Sequence, residues 1–167
     1  ALSAFKLSKL QDTLRASLPS IKQLSARFVH FVDVAEPLSP SDLAVLEGLL
    51  DYGEPFSGPS DSSGCAQRLV VPRPGTISPW SSKATDILHN CGLTDVSRIE
   101  RGIVYWVEGA SELDAADLTV LDSQLHDRMV QVVLDDIQEA SKKLQEIITL
   151  IDEKEERWFE LSAKMEE

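Results

Sequence analysis

Apolar positions along this chain switch between helical spacings of three and four and a strand-like spacing of two, and each switch marks an element. Leu7, Leu10, Leu14 and Leu18 run along one side of a first helix that Ser3 can cap, with Pro19 just beyond its end. From Arg27 to Val34 the period becomes two. Phe28, His30, Val32 and Val34 face one way and Val29, Phe31 and Asp33 the other, which predicts an inner strand. Ser39-Pro40-Ser41-Asp42 then opens a second helix in capping-box style, with Val45, Leu46, Leu49 and Leu50 as its stripe and Gly53 at its end. Glu54 to Gln67, with Gly58, Gly64, Pro55, Pro59 and several serines, reads as a mobile surface loop.

A strand–turn–helix unit follows, and the rest of the chain is organised around it. Leu69, Val70 and Val71 form a short buried strand, ended by Pro72-Arg73-Pro74-Gly75. Ser78 is placed as an N-cap, with Pro79 at the first helical position, where its missing N–H costs nothing. Trp80, Ala84, Ile87, Leu88 and Cys91 share one helix face, and Gly92 closes the helix. Val96 to Glu108 is a third strand, with Ile99, Ile103, Tyr105 and Val107 on one side and Val104 and Trp106 on the other. Arg98, Glu100 and Arg101 make its entrance charged. Helices alternating with strands predict an α/β fold, a small mixed sheet with packed helices, and leave the strand order open.

No glycine or proline occurs from Asp114 to Glu167. Asp114 with Asp117 can start a helix carrying Leu118, Leu121, Leu125 and Met129 on one side. Further on, Ile137, Ala140, Leu144, Ile147, Ile151, Lys154, Trp158, Leu161 and Met165 step by three and four, the pattern of a heptad seam. The two sets are out of phase, so a stutter or bend is expected between Met129 and Ile137. The chain thus divides into a body, residues 1–134, and a long C-terminal heptad (coiled-coil-like) helix, residues 135–167. An apolar seam through Ile137, Leu144, Ile147, Ile151, Trp158 and Leu161 predicts pairing, either with a second copy or back onto the body.

Composition narrows the chemistry. Hydrophobic residues at 43% and charged residues at 26% describe a soluble globular protein, and a net charge of −12 argues against nucleic acid or an anionic membrane as partner. No apolar run reaches the length of a membrane span, and no signal-peptide pattern precedes Ser3. Cys65 and Cys91 are expected to be reduced thiols in the cytoplasm, and their spacing with the three histidines matches no metal template. Arg73, Thr76, Ser78, Ser81, Ser82 and Lys83 cluster at the start of the central helix, the physical recipe for a phosphate or carboxylate site. The plainer account is a well-capped helix with solvated serines. His30 reads as a hydrogen-bonded histidine at a core edge. Cys91 and His89, two apart on a helix, point away from one another and make no nucleophile–base pair.

The run PRPGTISPWSSKATDILHNCGL, followed by RIERG, closely resembles the N-terminal domain of the large bacterial phosphoribosylformylglycinamidine synthase, the FGAR amidotransferase of purine biosynthesis. The opening ALSAFKLSKL, the strand-like RFVHFVDV and the later LHDRM are similar to the same domain in the same order, so the resemblance covers about residues 1–134. It implies a domain like the small companion subunit of multi-subunit versions of the enzyme. Such a domain is non-catalytic, packs against the synthase domain and helps build the environment of ammonia and substrate. Trp80 joins Arg73, Thr76, Ser78, Ser81, Ser82 and Lys83 as a domain-interface candidate on that view. The parent family is an ATP- and glutamine-dependent ligase using magnesium, whose catalytic domains are not in this stretch. The chain alone is therefore expected to be inactive and to carry no cofactor, as a truncated or fused form. The closing KEERWFELSAKMEE resembles the C-terminal coiled-coil helix of ABC-F type ATPases, and an ordinary coiled-coil helix reads the same way. The alternative function is an autonomous oligomerisation or partner-binding module using the heptad helix.

Overall fold

The computed structural model describes residues 2–56, 58, 64–109, 113–135 and 157. The chain divides into two units, Ala1–Val133 and Leu134–Glu167, each taken by itself. The seam residues Ile137, Leu144, Ile147, Ile151, Trp158 and Leu161 lie outside the described residues.

Helices and strands alternate: α1 (Ala4–Ser17), β1 (Ile21–Val34), α2 (Pro40–Leu50), β2 (Cys65–Pro72), α3 (Pro79–Asn90), β3 (Val96–Gly109), α4 (Ala115–Leu125) and β4 (Gln131–Leu134). Local chemistry sets the helix ends. Ser3, Ser39, Ser78 and Asp114 each accept a main-chain N–H from the first turn through a side-chain oxygen. Asp114 and Asp117 complete a capping box. At the end of α3 the Gly92 N–H donates to His89 O and the Leu93 N–H to Leu88 O, both at 3.0 Å. Gly92 takes the positive φ, 90°, that this reversal needs.

The strand order is β1-β3-β2-β4. β1 and β2 both pair antiparallel with β3, which corrects the mixed sheet expected from the sequence. β1 and β2 do run in the same direction, as a strand–helix–strand crossover requires, but β3 inserts between them and takes the hydrogen bonds of both. Leu24, Ala26, Phe28, His30 and Val32 of β1 stand opposite Val107, Tyr105, Ile103, Arg101 and Ile99 of β3, so these pairs share one face.

That face carries two cores. At one end Leu24, Ala26, Val70, Tyr105 and Val107 pack with Leu14 and Leu18 from α1 and its exit, and with Leu121 and Leu125 of α4. At the other end Val96 and Ile99 pack with Leu46 of α2 and Leu88 and Leu93 from α3 and its exit. The stripe expected on α3 is rotated. Ile87 and Cys91 are exposed, while Ser81 is buried and Thr85 half-buried beside Trp80, Ala84 and Leu88. Among the described residues no strand neighbours the margin of β3 beyond the end of β2, and α3 takes that place. Ser81 Oγ donates to Ile99 O at 2.6 Å, and Thr85 Oγ1 accepts the Ile99 N–H at 3.3 Å.

Two further expectations are corrected. Residues 65–67, expected in a loop, begin β2, because Cys65, Ala66 and Gln67 pair with Glu108, Val107 and Trp106. The helical reading through Met129 also fails: α4 ends at Leu125, and Gln131–Leu134 is a strand. Val132 and Val133 suit a strand, and Arg73 N donates to Val130 O at 3.0 Å beside it.

Candidate functional site

The start of α3 brings several of the candidate residues together, around an anion supplied by the chain itself. Ser78 Oγ accepts the Ser81 N–H at 3.0 Å and donates to Glu100 Oε1 at 2.7 Å; Ser78 N donates to Glu100 Oε2 at 3.3 Å. Arg98 Nη2 donates to Glu100 Oε2 at 3.1 Å, and Arg101 N to Oε1 at 3.0 Å. Burial is the largest single influence on this carboxyl and pushes it up. The combined donors of Ser78, Arg101 and Arg98 outweigh it, and the pKa lies below the ordinary 4.5. In the sequence Glu100 shows only as part of a charged strand entrance.

The other candidates fall around this group. Thr76 closes the preceding turn, its N–H and Oγ1 both donating to Arg73 O, and its own carbonyl accepts from Arg98 Nη2 at 2.8 Å. Ser81 is buried against β3, and Ser82 N makes a first-turn bond to Ser78 O. Arg73, Ser82 and Lys83 are exposed. Trp80 turns away from the serines, toward β1 and β3.

There it joins a cluster that sequence reasoning missed. Arg101 Cζ lies 4.5 Å from the centroid of the Phe28 ring and 4.8 Å from that of Trp80. Tyr52, from the segment after α2, accepts from Arg101 Nη1 at 3.3 Å and meets His30 Nε2 at 2.8 Å. The His30 ring is 5.7 Å from both Tyr52 and Trp80. Its pKa is held below the ordinary 6.5, first by burial and then by the nearby Arg101. Tyr52 Oη thus accepts from Arg101 and also bonds His30 Nε2, as donor or acceptor according to the imidazole tautomer. The register His30 opposite Arg101 makes this group, and the alternation on each strand is its only signal in the sequence. The expectation for His30, a hydrogen-bonded histidine at a core edge, agrees with this position.

A comparison with protein families supplies what the geometry leaves open. The family model for the formylglycinamide ribonucleotide amidotransferase N-terminal domain matches residues 27–144, more than half of the chain. The chain belongs to that family. The FGAR amidotransferase N-terminal match takes in β1 from Arg27 onward and all of β2, β3 and β4, and with them the Glu100 group and the Arg101 cluster. Among its described residues, no group of three or more His, Cys, Asp or Glu side chains could hold a metal ion. No described helix is long and apolar enough to cross a membrane.

Proposed function

We propose that this chain serves purine biosynthesis as a non-catalytic, cytoplasmic N-terminal domain of FGAR amidotransferase. It packs against the synthase catalytic domains and helps enclose the path of ammonia and substrate. The family match over residues 27–144 carries the reading. The chemistry at α3 is consistent with a packing role, since the Ser78 donors are engaged by Glu100. Arg73, Thr76, Ser78, Trp80, Ser81, Ser82 and Lys83 are the interface candidates on this reading. Ile77, 66% exposed among them, adds apolar area to that surface. ATP and magnesium belong to the catalytic domains in this account.

The test is reconstitution. The chain alone, with ATP, magnesium and glutamine or ammonia, should not amidate FGAR. Catalytic domains lacking their own N-terminal domain should gain turnover when the chain is added. Turnover by the chain alone, or no gain on mixing, would overturn the proposal.

A second role rests on the heptad seam through Ile147 and Ile151. We assign residues 135–167 to self-association or partner binding. The double substitution Ile147→Asp, Ile151→Asp should lower the sedimentation coefficient or the helicity, and no change in either would remove this role.

A further inference from the structure

Three described arginines are drawn at least partly into the fold, and two of them meet a carboxylate. Arg68 Nε lies 3.0 Å from Asp122 Oδ1, and Arg98 Nη2 lies 3.1 Å from Glu100 Oε2. Arg101 has no carboxylate within ion-pair reach among the described residues, in a chain whose net charge is −12. It rests instead against the Phe28 and Trp80 rings and donates to Tyr52. Ring contacts engage the flat of a guanidinium and leave the N–H donors on its rim for a planar acceptor. Tyr52 takes one of those five donors, and at 38% exposure it opens the cluster to solvent. Tyrosine, tryptophan and arginine together are the side chains that most often anchor protein interfaces.

We infer that Arg101, braced by Phe28, Trp80 and Tyr52, is a docking anchor that receives an Asp or Glu carboxylate from the catalytic domains. The identity of that partner rests on the function proposed above. The chemistry favours a carboxylate over a phosphate. A phosphate site gathers several cations or main-chain donors, whereas here the Arg101 N–H is already given to Glu100, and burial and Arg101 disfavour a cationic His30. One fork with one charge matches one carboxylate. Its arrival would offset the field of Arg101 on His30, so docking and His30 protonation become coupled.

The test has two arms. In the first, the full chain is titrated with sodium acetate, sodium phosphate or sodium chloride at equal ionic strength, followed by NMR of the arginine side chains and the histidine rings. Acetate should move the Arg101 Nε–H signal saturably and raise the apparent pKa of His30, while the exposed Arg27 stays nearly still. Arg101→Lys, which keeps the charge and loses the fork, should abolish the response. No acetate response, or one to phosphate alone, overturns the anchor and leaves the domain's proposed function standing. In the second arm, Arg101→Gln should weaken association with the separate catalytic domains at least about tenfold, with the fold intact by circular dichroism. Unchanged association would overturn the anchor. If wild-type chain itself fails to bind, the catalytic-domain partner is overturned while the acetate arm still decides the carboxylate site.

Discussion

Glu100 is the anion that α3 holds at its own N-terminus, with Oε1 2.7 Å from the Ser78 hydroxyl and Oε2 3.3 Å from the Ser78 N–H. Negative charge there is favoured by the free N–H groups and dipole of the first turn. Glu100→Gln keeps the shape and loses the charge, and should cost about 1–2 kcal/mol in urea unfolding at neutral pH. The folded pKa is lowered, so this stability is present above 4.5 and is lost as pH falls through the folded value. The gap between wild type and variant should therefore narrow in acid.

His30 gives a pH dependence at a different place. Its folded pKa is below 6.5, so near that value the unfolded chain binds more protons than the folded one. The neutral side chain's share of stability is complete above 6.5 and lost as pH falls below it toward the folded value. Thermal unfolding at about pH 7.5 and about pH 5.5 should show a loss on acidification that His30→Gln reduces. An equal loss in both proteins would assign the effect to other groups.

Tyr105 is buried in the core shared with α1 and α4, and desolvation pushes its phenol up to about 12. The unfolded side chain ionises near 10, so between the two values the folded state holds the proton that the unfolded state has released. Stability should fall with rising pH across that window. Ultraviolet titration should show a late phenolate step that Tyr105→Phe removes.

Gly102 sits where β1, β2 and β3 crowd together. A Cβ there would lie 3.1 Å from Val70 O, 3.1 Å from Val71 Cγ1 and 3.2 Å from Phe31 Cε2. One of these atoms is backbone, held in the sheet, and cannot turn aside. Gly102→Ala should destabilise by roughly 1–3 kcal/mol through overpacking, measured by chemical denaturation. A neutral result would mean that the strands separate more easily than this packing implies.

Features that neighbouring residues decide among themselves are legible in the sequence alone. Ser3, Ser39, Ser78 and Asp114 cap their helices through bonds spanning two or three residues, and Gly92 reverses the chain within one turn of α3. The two long strands show their period because each alternates across a sheet. Pairing partners far apart in sequence decide the rest. His30 meets Arg101, and Glu100 meets Ser78, only because β3 enters between β1 and β2 in one register. Ser81 and Thr85 belong to the inward stripe of α3 because the β3 margin offers them Ile99 in place of a strand, so polarity alone misplaces them and the exposed Ile87. Val132 and Val133 become a strand only beside a sheet neighbour, since four residues have too little periodicity to declare themselves. Local hydrogen bonding is encoded within a turn of chain; register and edge cover depend on how segments tens of residues apart share one sheet.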